Sequence, residues 1–314
     1  TLLHTLSNGD LLLTIFLFRA LESLWLPPTR PALRSASLTT ARPPLKRVKS
    51  SLVSFNSPVT TFFSPRFPFL TITPRADKLL AKDVGKGRLT EEQSKDIASR
   101  IVPTTDLSAA VKNTDMVIEA VPEIPSLKIQ IFAQLAAEAP KDAILATNTS
   151  SISITQIAAA ARGAEDRVIA AHFMNPVPVQ KGVEIIEALQ TSKDTLDSTL
   201  AFVARMGKVK SVSRDSPGFI ANRILLPYIN EAITVLETGI GSKEDIDSML
   251  VNGCAMPMGP LALADFIGLD TCLAIMKVLY NDTGDSKYRP SVLLQKYVDA
   301  GWLGKKSGKG FYDY

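Results

Sequence analysis

Cysteine is scarce here: the 314 residues hold two, Cys254 and Cys272. They cannot make a disulfide framework, and no Cys-x-x-Cys pair offers zinc ligands, so a reduced compartment and no metal are expected. Histidine is as scarce, with only His4 and His172. No glycine lies between Gly9 and Gly85. That interval therefore cannot hold the glycine-rich turn that lets a backbone approach a pyrophosphate. Acidic residues are missing from residues 23–76, which carry eight Lys/Arg and many Ser, Thr and Pro. Long apolar runs are missing too. Leu11–Phe18 is eight residues long and stops at Arg19, well short of the roughly 20 residues of a membrane-spanning helix.

The rest of the composition is that of a packed globular chain, 46% hydrophobic and 21% charged, which excludes a wholly disordered protein. The net charge of +4 is unevenly spread: residues 1–76 carry nine basic residues against two acids, and residues 77–314 carry 26 against 29. The basic character belongs to the first quarter and lies on no periodic helix face, so nucleic-acid binding is not inferred from it. An Arg- and Ser-rich, acid-poor stretch after an apolar start reads as an organelle transit peptide, with a disordered or wrongly translated leader as the alternative. We expect a mitochondrial location, or else a cytoplasmic one.

Residues 1–74 hold nine of the 20 prolines and no sustained helical period. The β-prone pieces Ser51–Phe55, Val59–Phe63 and Phe69–Thr73 are separated by prolines, and the last is expected to be a strand. From Ala76 the texture changes. Ala76–Val84 reads as the end of a helix, and Thr90-Glu-Glu-Gln93 as a capping box opening another. Apolar runs at Met116–Glu119, Ala143–Ala146, Val168–Ala171 and Val183–Ile186 then alternate with helical stretches at Ser126–Ala137, Ile154–Ala161 and Thr195–Met206. Such alternation predicts a mostly parallel sheet covered on both faces. After Asp215-Ser-Pro-Gly218 it ends. Helices are expected over Phe219–Thr238, over Lys243–Leu250 behind a Ser242 cap, and around Leu261–Tyr280 and Ser291–Ala300. The division is thus an atypical leader over 1–74, an α/β domain over 75–214 and an all-helical domain over 215–314.

Open parallel sheets bind ligands beyond the carboxyl ends of their strands. Glu119 with Glu123, the turn Asn148–Ser151, and His172 all fall there. Asn148–Ser151 offers short polar groups for a carbonyl, hydroxyl or phosphate, with Ser151 as a helix N-cap as the plainer role. Glu184 lies in an apolar strand twelve residues after His172. A carboxylate in such a strand needs a partner. Pairing with His172 would meet that need and would also make a general base; the plainer role is a buried pair that pins two strands. Lys305, Lys306 and Lys309, set among glycines, suit either a phosphate or a solvated turn.

The segments DMVIEAVPE, ATNTSSISI, HFMNPVPVQKGVEII, DSPGFIANRILLPYINEA, PMGPLALADFIGLDT and GKKSGKGFY together resemble the short-chain L-3-hydroxyacyl-CoA dehydrogenase family, 3-hydroxybutyryl-CoA dehydrogenases included. The resemblance runs from about residue 76 to 314. It implies an enzyme that oxidises the 3-hydroxyl of an acyl-CoA with NAD, in fatty-acid β-oxidation or butanoate metabolism. It also implies a Rossmann-like domain followed by an all-α domain that forms a homodimer, with no nucleic-acid or membrane partner. By the same resemblance His172 is the catalytic base, Glu184 its carboxylate partner, and Ser150 and Asn222 position the substrate. Glu123, Lys128, Ser150, Asn175 and Lys306 fall at cofactor positions on the nicotinamide side. The family's first strand, G-x-G-x-x-G turn, helix and second strand have no counterpart here. A gap is therefore expected in the sheet between Met116–Glu119 and a strand near Arg100–Val102. The alternative reading follows from that loss: a catalytically impaired relative serving as an acyl-CoA binder or dimer partner.

Overall fold

The structure, a computed structural model, describes residues 14–18, 59–63, 72–175, 177 and 179–314. In chain order the elements of the first part are β1 (Thr14–Phe18), β2 (Val59–Phe63), α1 (Ile72–Gly85), α2 (Glu91–Ser99), β3 (Ile101–Thr104), α3 (Leu107–Val111), β4 (Met116–Glu119), α4 (Pro125–Glu138), β5 (Ile144–Thr147), α5 (Ile154–Ala160), β6 (Val168–Phe173), β7 (Gly182–Glu187), α6 (Lys193–Arg205) and β8 (Val209–Arg214). Five helices follow: α7 (Ala221–Glu237), α8 (Lys243–Gly253), α9 (Pro260–Ile267), α10 (Leu269–Thr283) and α11 (Val292–Asp299).

The strands form one sheet in the order β3-β2-β1-β4-β5-β6-β7-β8. Its first six positions follow the 3-2-1-4-5-6 order of doubly wound dinucleotide-binding sheets. β2 and β3 pair in parallel, as do β4 with β5 and β5 with β6. β1 is antiparallel to both of its neighbours, so among these six it alone runs backwards. The expected gap is thus occupied, by β1 and β2. Of the expected strand Phe69–Thr73, residues 69–71 lie outside the described residues, while Ile72 and Thr73 open α1. Pro74 suits that place, because the N–H groups of a first helical turn have no partner within the helix. Val59–Phe63 supplies the neighbour of β3 instead. Ser51–Phe55 also lies outside the described residues. β7 returns antiparallel to β6, and β8 pairs with it in parallel at the edge.

β4, β5 and β6 are buried on both faces, which is why they read as apolar runs rather than alternations. Val117, Leu145, Val168 and Ala170 face a core shared with Phe132, Leu135, Ile154 and Ile157 of α4 and α5. Ile118, Ala146, Ile169 and Ala171 face the opposite core with Val203 of α6. The helices after residue 220 have a core of their own, around Leu226, Ile233, Leu261, Leu269, Met276 and Leu294. The capping box at Thr90 and Gln93 forms as the sequence implies, and Ser242 caps α8. The helix expected over Leu261–Tyr280 is broken into two at Gly268, whose φ of 104° a side chain rarely tolerates.

The last residues fold back onto α9. Asp265 accepts the backbone N–H of Phe311 at 2.9 Å and of Tyr312 at 2.9 Å, and the Tyr314 hydroxyl at 3.2 Å. Burial raises the Asp265 pKa, against these three donors. Gly310 lies so close that an added Cβ would overlap the Asp265 carboxylate. Gly310→Ala is therefore expected to destabilise the chain by about 1–3 kcal/mol, the usual cost of overpacking, read as a lower denaturant midpoint. Among the described residues no helix is long and apolar enough to cross a membrane, and no cluster of His, Cys, Asp or Glu is arranged to hold a metal ion.

Candidate active site

The parallel register sets Glu119 beside Thr147 and Thr147 beside Ala170, so the ends of β4, β5 and β6 lie together. His172 and Glu184 are direct register partners across β6 and β7. The twelve-residue spacing thus spans two adjacent antiparallel strands. His172 Nδ1 lies 2.9 Å from Glu184 Oε2, and the two residues are 7% and 5% exposed. A carboxylate only accepts, so Nδ1 carries a proton and the neutral ring leaves its Nε2 lone pair free. Nε2 faces the Ser150 hydroxyl at 3.1 Å.

Glu184 does more than hold the imidazole. Its Oε1 accepts the backbone N–H groups of Ile220 and Ala221, both at 2.9 Å. Ile220 stands at the N-cap of α7 without a side-chain cap of its own, so a carboxylate from β7 satisfies that helix end. Burial raises the Glu184 pKa, but the bonds from His172, Ala221 and Ile220 outweigh it and hold the carboxyl below its ordinary value. Asn222, in the first turn of α7, donates to the Ser150 backbone oxygen at 3.1 Å. Ser150, His172, Glu184 and Asn222 are therefore brought together, and the second domain contributes one of the four. Sequence reasoning did not single out Phe219, whose ring meets His172 edge-on at 5.9 Å. Its φ of 51° is strained for a non-glycine residue. The only sign in the sequence was its position after Pro217-Gly218.

Glu123 grips the turn that carries Ser150. One of its oxygens accepts from Thr149 Oγ1 at 2.5 Å, Ser150 N at 2.9 Å, Ser151 N at 2.8 Å and Ser151 Oγ at 3.0 Å. Ser151 is thus spent on Glu123; the N-cap of α5 is Ser153. Asn148 also turns inward, its Oδ1 accepting the Phe173 N–H at 2.9 Å. Burial raises the Glu123 pKa, but the Lys128 charge and the hydrogen bonds from the turn pull it below the ordinary value of 4.5. A carboxyl with a lowered folded-state pKa adds stability that is full above 4.5 and is lost as pH falls through the folded value. Glu123→Gln is accordingly expected to melt below the parent at neutral pH. The two melting temperatures should converge in acid, as calorimetry across that range would show.

The remaining cofactor-side candidates are dispersed. Lys128 is 0% exposed, its ammonium 2.8 Å from Glu119 Oε1, 3.2 Å from Val121 O and 3.5 Å from Glu123 Oε2. Its contact with the groups that hold the Ser150 turn is made through these carboxylates. Asn175 is exposed on the segment after β6, where Lys208 holds the chain through the carbonyls of Val177 and Gln180. Lys306 pairs with Asp270 of α10 at 2.5 Å, inside the helical domain. Of the neighbouring lysines, Lys309 lies 4.1 Å over the Trp302 ring and Lys305 lies 5.8 Å over that of Tyr314.

A dinucleotide would meet this surface unevenly. Glu123, Ser150 and the open face of His172 suit a nicotinamide and its ribose. The pyrophosphate half does not fit in the same way. Ile15 pairs with Glu119 and Phe18 with Met116, so β1 ends at the amino end of β4, opposite the strand ends that carry the site. No glycine turn follows β1 to present backbone N–H groups to a phosphate at the site.

Comparison with known proteins places this construction in a class. Residues 71–216 match the family model "3-hydroxyacyl-CoA dehydrogenase, NAD binding domain", and residues 218–314 match "3-hydroxyacyl-CoA dehydrogenase, C-terminal domain". The 3-hydroxybutyryl-CoA dehydrogenase of Bradyrhizobium diazoefficiens is 52% identical over 235 residues, 75% of this chain and 80% of that protein. The mitochondrial hydroxyacyl-coenzyme A dehydrogenase of Homo sapiens is 43% identical over 217 residues, 69% of each. The crystal structure of (S)-3-hydroxybutyryl-CoA dehydrogenase PaaH1 from Ralstonia eutropha superposes with a TM-score of 0.73 at 46% identity, covering 76% of this chain and 83% of that one. The class is that of NAD-dependent oxidoreductases with a sheet domain and a helical domain. The chain belongs to the 3-hydroxyacyl-CoA dehydrogenase family.

Proposed function

We propose that the chain oxidises the 3-hydroxyl of a short 3-hydroxyacyl-CoA to the 3-keto thioester, with His172 as general base. The observation that carries this is the relay Ser150–His172–Glu184. Glu184 holds one imidazole nitrogen, which leaves Nε2 as the only ring atom able to take a proton, and Nε2 opens toward the turn at the strand ends. In the forward direction the substrate hydroxyl gives its proton to Nε2. The charge that forms on the ring is stabilised by Glu184 at 2.9 Å. Ser150 Oγ, 3.1 Å from Nε2, and the Asn222 amide, which donates to the Ser150 backbone oxygen at 3.1 Å, would orient the oxygen that becomes the ketone. NAD, when bound, supplies the acceptor for the C3 hydride. The relatives' names supply the acyl class, a 3-hydroxybutyryl chain. Reduction of acetoacetyl-CoA by the purified 1–314 chain, followed as loss of NADH absorbance at high NADH, tests this reading, and no turnover would defeat it.

A second reading, an acyl-CoA binder or dimer partner without efficient turnover, is favoured by the reversed β1. In either case we infer a homodimer through the helical domain, supported by the exposed apolar side chains Ile224, Ile240, Met249 and Phe266. The acid-poor composition of residues 23–76 supports a mitochondrial address.

A further inference from the structure

Glu119 is a fully buried carboxylate, 0% exposed, that touches neither His172 nor the open face of the site. Two separate lines of contact nevertheless run from it to the turn bearing Ser150. On one side, Glu119 Oε2 accepts the Thr147 hydroxyl at 2.7 Å, and Thr147 Oγ1 accepts the Thr149 N–H at 3.2 Å. On the other, Glu119 Oε1 holds Lys128 Nζ at 2.8 Å and the Val121 N–H at 2.5 Å. Lys128 Nζ then reaches Glu123 Oε2 at 3.5 Å, and the other oxygen of Glu123 collects four donors from Thr149–Ser151. The turn is thus gripped at both ends from one carboxylate at the end of β4. A group buried at this depth has a fixed geometry, because every alternative leaves a charge unpaired in the core.

We propose that Glu119 is a positioning residue for the reaction: through Thr147 and through Lys128–Glu123 it fixes the Thr149–Ser151 turn, and so aims the Ser150 hydroxyl at His172 Nε2. The proposal rests on the reading of His172 as the base. Simple fold maintenance would need only one of the two lines. Here both converge on three residues of a turn whose one outward group is the Ser150 hydroxyl facing the base. The nicotinamide-side surface follows from the same grip, since Glu123 and Ser150 both belong to it.

The test uses the 1–314 chain labelled with nitrogen-15 histidine. Only His4 and His172 contribute signals, and His172→Gln assigns them. Ser150→Ala gives the Nε2 signal of an imidazole that has lost its hydroxyl partner. Glu119→Gln alone leaves the buried Lys128 charge with only the more distant Glu123 carboxylate at 3.5 Å. The informative variant is therefore the double one, Glu119→Gln with Lys128→Met, which removes both buried charges together. Its Nε2 signal should move toward that of Ser150→Ala while Nδ1, held by Glu184, stays in place. Turnover should fall on the order of 10²-fold at unchanged acyl-CoA affinity, the scale of a misplacement near 1 Å. If the double variant does not fold, Thr147→Val cuts the other line while Lys128 still balances the Glu119 charge, and should shift Nε2 in the same direction. A folded variant of either kind with Nε2 at the parent position overturns the proposal. The nitrogen signal reads the grip on Ser150, whereas turnover of the parent chain and of His172→Gln reads the base. The two readings therefore fail separately.

Discussion

Replacing His172 with glutamine is expected to lower the turnover of acetoacetyl-CoA by about 10²–10⁴-fold, the usual contribution of a placed general acid or base. Affinity for the acyl-CoA should change little, because on the proposed reading the imidazole takes up the hydroxyl proton and does not hold the thioester. Glutamine nearly fills the same volume and can still meet Ser150 and Glu184, so the β6–β7 pairing and the cap that Glu184 provides for α7 should survive. Far-ultraviolet circular dichroism and the melting temperature check that. The kinetic signature is a fall in kcat and kcat/KM together, the pattern of an interaction lost in the transition state. Retained turnover in a folded His172→Gln chain would remove the base from the mechanism and leave the His172–Glu184 pair as a strand pin.

The second large effect concerns the cofactor. NADH titrated against the 1–314 chain, followed by nicotinamide fluorescence, is expected to bind far more weakly than it would to a chain with a glycine turn behind its first strand. Backbone donors to a charged group contribute about 1.5–3 kcal/mol each. Losing two would weaken binding on the order of 10²–10⁴-fold at about 1.4 kcal/mol per decade. The fold sharpens this expectation. β1 occupies the central place of the first strand but runs the other way, so its last residue, Phe18, lies beside Met116 at the amino end of β4, away from the site. A chain in which residues 1–74 are replaced by a glycine-rich strand-turn-helix-strand unit should bind NADH more tightly and reach its full turnover at lower NADH. Micromolar binding by the original chain would show that the leader builds a phosphate site without glycine. A folded chimera that neither binds nor turns over would bring the His172 assignment itself into question.

Much of the chain beyond residue 76 was legible in the sequence, because two-sided burial leaves a strong pattern. β4, β5 and β6 had to be apolar on both faces, and a single carboxylate in the apolar β7 had to find a partner, which pointed from Glu184 to His172. The switch to helices after Pro217-Gly218 was legible for the same reason, since helical periodicity reports one buried face. β8 was missed because nearly every residue in Val209–Arg214 is exposed, and an edge strand without a buried face imposes no pattern. Other features rest on contacts between distant residues. Nothing local announces that Lys128 is consumed by Glu119, that Lys306 is held by Asp270, or that α7 takes its cap from β7. A salt bridge or a borrowed cap leaves no periodicity on either partner. The sequence by itself determined that an α/β unit precedes a helical one, that His172 and Glu184 pair, and that no glycine turn lies between Gly9 and Gly85. The resemblance had already implied that Ser150 and Asn222 join His172; only the tertiary structure decided the direction of β1 and the setting of the Phe219 ring against the imidazole. Strand direction and cross-domain contact depend on where the chain returns in space, and the order of residues along it does not encode that separately.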